Sequence, residues 1–358
     1  MARLFFLSKR RPQQRCLLER PYGRFYHIPN ELAKLGHDVH VLLIGHAGNL
    51  PETLVRNSVT WHTVDLNLNP LNLIAYCRKK AETIEPDWII GLSDAWVGWL
   101  AGQVSSALDI KLAIDAYDDY EAYMPWNLPL HWLWRKAIGK ADLCTAAGPQ
   151  LAELLNVSRR GKSHTAIIPM AADPEFKPML KVNCRKELGL PEIAPIIGYA
   201  GGWATNRGTE NLIKAFRIVR QCQPDALLAL TGNPPKHLLS ETGVISLGYL
   251  QDKQMPVFIN ALDVSTVITA NTRFGRHSYP VKLCEAMACE VPVVATATLP
   301  VKWMLNNASS HLLPVGDIAS FANAILRQLQ TPDTNYPTLN HWSLAAAHFN
   351  TLLQRDLR

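Results

Sequence analysis

Residues 279–296, YPVKLCEAMACEVPVVAT, form the stretch that decides the fold. Pro280 suits the first turn of a helix, and Ser278 is predicted to cap that helix from just before it. The helix is followed at once by the apolar run Val291–Ala295, which predicts a buried strand. A helix that leads directly into a buried strand is a typical unit of an α/β protein.

The start of this helix also predicts a site for a phosphate or diphosphate. Free backbone N–H groups at a helix start attract anions, and Lys282 adds a positive charge there. Lys282 and Glu285 are three residues apart, so they share one face of the helix. A cation for phosphate beside a carboxylate that can accept two hydroxyl hydrogen bonds suits a nucleotide-sugar site. The alternative is an ordinary capped helix with an i,i+3 ion pair.

Strand-like and helical patterns alternate along the chain in two similar halves. The strand-like runs are Leu4–Leu7, Val39–Ile44, Trp88–Leu92, Leu112–Ile114, Leu143–Ala146 and Ala166–Ile168, then Ile196–Tyr199, Ala226–Leu230, Val244–Leu247, Val264–Val267 and Val291–Ala295. A Pro-rich linker at 169–178 separates the halves. The pattern predicts an α/β protein with two doubly wound domains, which hold a ligand in the cleft between the carboxyl ends of their sheets.

The predicted domains follow from the linker and from the end of the second half. Residues 1–178 and 179–340 each form a Rossmann-like domain. Residues 341–358 form a C-terminal helix with an apolar face that includes Trp342 and Phe349, and this helix is predicted to pack back across the domains.

Composition and charge exclude several classes of protein. The 358 residues are 48% hydrophobic and 18% charged, which suits two globular cores and excludes disordered and fibrous chains. The net charge is +6, and the first 24 residues hold seven basic side chains against one acidic. This cluster suits phosphates or an anionic membrane surface. Nucleic-acid binding is not predicted, because the cluster lacks interleaved aromatic residues.

The cysteines and the N-terminal apolar run indicate the cellular compartment of the protein. Seven cysteines are scattered without a Cys-x-x-Cys pair, which argues against a disulfide framework or a zinc site. The apolar run Leu4–Leu7 is too short for a signal peptide and predicts a first strand instead. We therefore expect a cytoplasmic protein. His37, His40 and His46 flank a buried strand and are expected to be structural rather than metal ligands.

The ordered motifs resemble one enzyme family. Pro280–Ala288 with Pro292–Ala295 resembles the most specific motif of the retaining, nucleotide-sugar-dependent glycosyltransferases of family 4, which have the GT-B fold. Tyr199–Trp203, leading to Arg207 and Gly208, resembles their strand-to-loop cation motif. Further fragments are similar to other landmarks in the same order: Ala141–Leu143, Ile168–Asp173, Leu247–Tyr249 and Ala261–Val264. The resemblance covers nearly the whole chain.

The resemblance implies an activity. Two Rossmann-like domains would face each other across a cleft, with the acceptor on the N-terminal side and the donor on the C-terminal side. The reaction would move a sugar from a nucleoside diphosphate sugar to a carbohydrate or lipid-linked acceptor, with retention of configuration, in surface polysaccharide or glycoconjugate synthesis. No separate cofactor is implied. A nucleotide-sugar 2-epimerase on the same fold and a non-enzymatic two-lobed sugar-binding protein are the alternatives.

The resemblance also assigns donor-site residues. Glu285 matches the residue that binds the ribose hydroxyls, and Arg207 and Lys282 match cations that hold the diphosphate. The pattern departs at His277, where many members carry the first glutamate of a Glu-x7-Glu pair, and at Gly202, where another arginine is common.

The departure at His277 leaves the sugar contact open. His277, or main-chain amides near Ser278, would replace the missing glutamate. A plain loop histidine is the alternative. Glu290 stands where a helix-ending glycine is usual.

Two features of the first half are candidates for the acceptor side. The cluster Asp115–Tyr120, DAYDDY, follows a predicted strand, and Asp118 is the candidate to position an acceptor hydroxyl or accept its proton. These acids could instead cap the next helix. Gly23 is predicted in the loop after the first strand, where a family glycine lets the backbone approach the substrates; otherwise it is a turn residue.

No metal site is predicted. The chain has no strict Asp-x-Asp, and a diphosphate held by Arg207, Lys282 and helix dipoles needs no divalent ion.

One further segment suggests a partner. Residues 124–136, MPWNLPLHWLWRK, place Trp126, Trp132 and Trp134 beside a basic end. Tryptophan with Lys or Arg on a short amphipathic helix suggests a peripheral contact with an anionic membrane, at the inner face of the membrane for a cytoplasmic protein. Packing in a core or in the cleft explains the same aromatics.

Overall fold

The computed structural model describes residues 1–46, 51–67, 70–203 and 208–355. The chain divides into two compact units, one of Met1–Met170 with Asn340–Arg358 and one of Ala171–Leu339. The division falls before the boundary predicted at residue 178. Residues after 170 group with the second unit because Phe176 packs against that unit's core.

The first unit is built on one sheet. Its strands are β1 (Arg3–Lys9), β2 (Asp38–Gly45), β3 (Thr53–Arg56), β4 (Val59–Asp65), β5 (Trp88–Gly91), β6 (Lys111–Ala116), β7 (Leu143–Ala146) and β8 (Ala166–Ile167). They lie in the order β3-β4-β2-β1-β5-β6-β7-β8. Neighbouring strands are parallel, with Leu4 opposite Val39 and Trp88, except that β3 runs antiparallel to β4. The central strand β1 is an almost continuous buried apolar run, as a parallel sheet covered on both faces requires.

Helices of the first unit connect these strands. They are α1 (Gly23–Lys34), α2 (Pro70–Ile84), α3 (Ala95–Leu108), α4 (Tyr120–Tyr123), α5 (Leu128–Lys140) and α6 (Pro149–Asn156). The last helix, α13 (Trp342–Arg355), also belongs to this unit and packs on α1. The rings of His27 and Trp342 stack there with centroids 6.0 Å apart. The apolar face of the C-terminal helix is therefore buried within the first unit.

The second unit has its own parallel sheet. Its strands are β9 (Ile196–Tyr199), β10 (Leu227–Leu230), β11 (Val244–Ser246), β12 (Val264–Val267), β13 (Val293–Thr296) and β14 (Leu312–Leu313), in the order β11-β10-β9-β12-β13-β14. Its helices are α7 (Lys181–Glu187), α8 (Thr209–Cys222), α9 (Gln254–Ala261), α10 (Val281–Ala288), α11 (Leu299–Met304) and α12 (Ile318–Gln330). Two clusters of buried residues include Phe258 and Met287 in one and Phe216 and Phe321 in the other.

The prediction of two doubly wound α/β domains is confirmed. The sequence patterns missed three strands: β3 is a short edge strand whose residues are exposed or half-buried, β4 mixes polar with apolar residues, and β14 has only two residues. The seven cysteines all lie in the described ranges and are free thiols, six of them buried. Within those ranges, no helix has the length and apolar character needed to cross a bilayer.

Candidate functional site

A loop that contains Gly201 and Gly202 follows the central strand β9 of the second unit, and we call residues 200–203 the glycine loop. The buried Tyr199 ends this strand, and its hydroxyl donates a hydrogen bond to the carbonyl oxygen of Gly202 at 2.9 Å. The indole Nε1–H of Trp203 donates to the carbonyl oxygen of Thr231 at 2.8 Å. Both bonds tie the loop to the carboxyl ends of β9 and β10. In an open α/β sheet, this edge is where ligands bind.

Lys282 reaches this loop from the first turn of α10. Its Nζ lies 4.5 Å from the centre of the Tyr199 ring and is shielded from solvent. Gly201 has a φ of +145°, and a Cβ at this position would lie 2.7 Å from the same Nζ. The ammonium therefore occupies space that a side chain at residue 201 would need. The two predicted motifs, far apart in sequence, meet at this cation.

The beginning of α10 differs from the prediction. Pro280 is the N-cap, with extended backbone (φ −69°, ψ 114°), and no side chain among the described residues caps the helix. Ser278 lies two residues before the N-cap, so its predicted role as the cap is wrong. A helix start without a capping side chain leaves backbone N–H groups for another acceptor. Glu285 is half-buried and follows Lys282 by about one turn.

The end of α10 forms a Schellman motif. The N–H of Glu290 donates to the carbonyl of Met287 at 3.0 Å, and that of Val291 donates to Ala286 at 3.1 Å. Glu290 has a φ of +54°, in the left-handed region that favours glycine. The residue that departs from the family pattern therefore sits in the backbone conformation that the usual glycine adopts without strain.

His277 is held in the loop before α10. Its backbone N–H donates to the carbonyl of Phe274 at 3.0 Å, and its Nδ1 lies 3.1 Å from the carbonyl oxygen of Arg273. A carbonyl oxygen can only accept, so His277 Nδ1 is the donor in this hydrogen bond. Both His277 and Ser278 are half-buried.

The remaining donor-side predictions are Arg207 and Gly202. Arg207 lies outside the described residues. Gly202 lies in the glycine loop and accepts the hydrogen bond from Tyr199. Gly208 precedes α8 as its N-cap, with a φ of +76°.

Two of the three predicted acids in the first unit have structural roles. Asp115 forms a buried bidentate ion pair with Arg24, at 2.7 and 2.9 Å, and accepts a hydrogen bond from Thr145 at 2.5 Å. Asp119 is the N-cap of α4 and accepts from the N–H of Ala122. For Asp119, the alternative interpretation as a helix cap is therefore confirmed.

Asp118 remains the candidate among these acids. It is buried near the carboxyl end of β6, and Tyr123 donates to its Oδ2 at 2.8 Å. Burial, followed by the charge of Asp118, raises the pKa of the neighbouring Tyr117 far above its ordinary value. The phenol of Tyr117 therefore keeps its proton at more alkaline pH than an ordinary tyrosine does.

Gly23 is the first residue of α1, so its predicted place in a loop is wrong. Its φ is +63°, and a Cβ there would meet no described atom within 4 Å. The requirement for glycine comes from the backbone conformation and not from crowding.

An ion pair that the sequence analysis missed lies at the same edge of this sheet. Lys9 ends β1, Asp94 follows β5, and the two side chains form a salt bridge. The N–H of Lys9 also donates to the hydroxyl of Ser93 at 3.0 Å. Each charged residue follows a buried apolar run after one intervening serine, and that pattern could have identified the pair.

In the part of the chain that the structure describes, no group of three or more His, Cys, Asp or Glu residues is placed to hold a metal ion.

The part of the chain that contains this site is similar to known proteins. Residues 194–331, which include the glycine loop and α10, match the model of the family described as Glycosyl transferases group 1. The resemblance predicted from the motifs is confirmed for this part of the chain. The 2-deoxystreptamine glucosyltransferase of Streptomyces kanamyceticus is 25% identical over 215 residues, which are 56% of this chain and 54% of that protein. The chain thus spans about half the length of this relative.

Solved structures with the same fold cover the whole chain. Sucrose-phosphate synthase from Thermosynechococcus elongatus aligns with a TM-score of 0.77 at 17% identity, over 100% of this chain and 99% of that one. Anabaena Alr3699/HepE in complex with UDP-glucose aligns with a TM-score of 0.70 at 16% identity, over the same shares. These likenesses show the GT-B fold.

Proposed function

We propose that this protein is a retaining glycosyltransferase that moves a sugar from a nucleoside diphosphate sugar to a carbohydrate or lipid-linked acceptor. The observation that carries the proposal is the Lys282 ammonium held over the glycine loop, beside the start of α10. The match of residues 194–331 to group 1 glycosyltransferases supports it. So do a relative named as a glucosyltransferase and a fold neighbour solved with UDP-glucose.

In this proposal, the donor's diphosphate binds at the glycine loop. Lys282, Arg207 and the N–H groups at the start of α10 stabilise the negative charge that grows as the anomeric C–O bond breaks. Gly202 and its neighbours let the phosphates approach the backbone closely. Glu285 accepts hydrogen bonds from the ribose hydroxyls. Because these groups supply the positive charge, the enzyme is proposed to need no metal ion.

The remaining candidate residues contact the sugar and the acceptor in this proposal. His277 Nε2 accepts a hydrogen bond from a sugar hydroxyl, and main-chain amides near Ser278 add to this contact. The acceptor oxygen bonds to the anomeric carbon from the face that the diphosphate leaves, and Asp118 accepts its proton. Gly23 allows the acceptor to approach the start of α1. The reaction is proposed to take place in the cytoplasm.

A thermal-shift screen with UDP, GDP, ADP and dTDP tests the proposal. A nucleotide present at about 100 times its Kd stabilises the fold by roughly 2.7 kcal/mol. We expect one base to raise the melting temperature, and its sugar conjugates to do the same. The absence of a shift with every nucleotide would contradict the proposed donor site.

The reaction itself is tested with the donor that the screen identifies. NMR of the product should show a glycoside with the anomeric configuration of the donor. Conversion of the donor sugar to its 2-epimer, without transfer to an added acceptor, would support the epimerase instead. An inverted product would exclude the retaining mechanism.

A further inference from the structure

Large apolar side chains are exposed at α5 in the first unit. Trp126, Leu128 and Trp132 are 76%, 67% and 61% exposed, respectively, and we call these three residues the α5 aromatic face. Trp134, which the sequence grouped with them, is 3% exposed and packs against Gly98, so it belongs to the core. Single exposed apolar residues are normal on a protein surface, but three large ones within seven consecutive residues indicate an interaction site.

The aromatic face is held rigidly by its surroundings. Asn127 caps α5 by accepting a hydrogen bond from the N–H of Leu130 at 3.2 Å. His131 Nε2 lies 2.8 Å from the carbonyl oxygen of Met124, which ties the segment before the helix to its first turn. The opposite side of α5 is buried through His131, Trp134, Ala137 and Ile138. The helix is therefore anchored along one side and presents the aromatic face on the other.

The charged side chains on α5 itself are all basic. The sequence contains no Asp or Glu between Glu121 and Asp142, while Arg135, Lys136 and Lys140 fall in this interval. Glu121 itself is buried and neutralised by a bidentate contact with Arg135, at 2.7 and 2.5 Å.

The two lysines extend the face along the helix. Lys136 Nζ lies 5.0 Å from the centre of the Trp132 ring, and Lys140 is exposed one turn further along. The exposed side of α5 thus changes from aromatic to cationic toward its C-terminus. Apolar and aromatic residues beside lysines are what an anionic lipid interface binds.

Several basic residues near the N-terminus contribute less positive charge to a membrane contact than the sequence suggests. Arg3, Lys9, Arg10 and Arg24 form ion pairs within the unit, with Asp38, Asp94, Glu52 and Asp115, respectively. A cation already paired with a carboxylate attracts a lipid phosphate only weakly. These four cations are therefore less available to a membrane, whereas Lys136 and Lys140 lie exposed on α5.

We propose that the α5 aromatic face binds the surface of a bilayer that contains anionic lipid. The 13-residue helix is too short to span a bilayer and would lie in its plane. Trp126, Leu128 and Trp132 enter the boundary between headgroups and acyl chains, and Lys136 and Lys140 contact lipid phosphates. This inference concerns binding alone and does not depend on the proposed sugar transfer.

Vesicle flotation with the full chain tests the proposal. We expect binding to vesicles of phosphatidylcholine with 30% phosphatidylglycerol, weaker binding to pure phosphatidylcholine, and a decrease with added salt. The variant Trp126→Ser/Trp132→Ser should bind at least about tenfold more weakly. Lys136→Gln/Lys140→Gln should lose roughly tenfold on the anionic vesicles and little on the neutral ones. As a matched control, Val157→Ser/Ile193→Ser removes two other exposed apolar side chains and should bind like the wild type.

Three outcomes would overturn the proposal. One is equal vesicle binding by the wild type and the double tryptophan variant. Another is a wild type that binds neither kind of vesicle. The third is a wild type that self-associates in sedimentation while Trp126→Ser/Trp132→Ser is a monomer, because the face would then join two copies of the chain. The two tryptophans are exposed, so we expect the variant to keep the wild-type melting temperature, which distinguishes lost binding from unfolding.

Discussion

The ammonium of Lys282 lies 4.5 Å from the centre of the Tyr199 ring. The ring is fully buried at the end of β9, and the lysine comes from α10. A cation over an aromatic face gains about 0.5 to 2 kcal/mol, depending on its exposure to water. This contact holds the charge at the glycine loop, where the proposed diphosphate binds.

The first prediction concerns the space that Lys282 occupies. Gly201→Ala would place a Cβ 2.7 Å from Lys282 Nζ and displace the ammonium. We expect kcat to fall by roughly 10²- to 10³-fold, the same decrease that we expect for Lys282→Ala. Either change removes one charge-stabilising donor from its place. Gly189→Ala is the control, because Gly189 also has a positive φ (+65°) but no described atom near its Cβ position. Wild-type turnover by Gly201→Ala would show that the position of this cation does not matter.

The second prediction concerns nucleotide binding by Glu285. Calorimetry with the bare nucleoside diphosphate should show that Glu285→Ala binds more weakly, by about 1.5 to 3 kcal/mol for each charge-assisted hydrogen bond lost. His277→Ala is the comparison, since a residue that contacts only the sugar should leave this affinity unchanged while sugar transfer falls. Normal diphosphate binding by Glu285→Ala would place the ribose elsewhere.

The third prediction concerns metal ions. If Lys282, Arg207 and the start of α10 neutralise the diphosphate, turnover should continue in excess EDTA at the rate measured with magnesium. The assay compares the same enzyme sample with EDTA alone and with magnesium or manganese restored. A loss of activity that either ion reverses would rule out metal-independent transfer.

The fourth prediction concerns stability at acidic pH. His62 Nε2 lies 3.2 Å from His40 Nδ1, and the other nitrogens of the two rings lie 3.0 Å from the Thr53 hydroxyl and 3.2 Å from an Asp38 oxygen. With both imidazole rings neutral, all three hydrogen bonds can form: Thr53 donates to His62, His62 donates to His40, and His40 donates to Asp38. Burial, with smaller effects from Lys80 and His40, lowers the pKa of His62 to about 4.

Because the folded pKa of His62 is below the ordinary 6.5, its stabilising contribution is complete above about pH 6.5 and is lost as pH falls toward 4. We expect the free energy of unfolding to drop by on the order of 2 kcal/mol over this range from this residue. Urea titrations at several pH values should show a shallower slope for His62→Gln. The exposed His164 provides the control variant His164→Gln, which should keep the wild-type slope. Identical slopes for all three proteins would contradict the assignment.

The fifth prediction concerns the end of α10. Glu290 adopts a left-handed backbone conformation that a Cβ disfavours by roughly 1 kcal/mol. Glu290→Gly should therefore raise the free energy of unfolding by about 0.5 to 1 kcal/mol, measured by urea denaturation. Glu290→Ala retains a Cβ and should show no such gain. If both variants had the same stability, the strain at this position would be negligible.

Much of the fold could be predicted because its signals are local. Leu4–Leu7 and Val293–Ala295 are apolar runs bounded by polar or turn residues, so their burial as strands follows from a few neighbouring side chains. The motif around Lys282 and Glu285 lies on one short helix, where sequence spacing fixes which residues share a face.

Long-range pairing was decided only by the tertiary structure. Asp115 and Asp118 belong to the same acidic run, yet one is paired with Arg24, 91 positions away, and the other contacts Tyr123 nearby. Trp132 and Trp134 are two residues apart, yet one is exposed and the other lies in the core. Local patterns show that a side chain is acidic or aromatic. The order of strands and the faces of the packed helices decide its neighbours, because burial depends on elements that are distant in sequence.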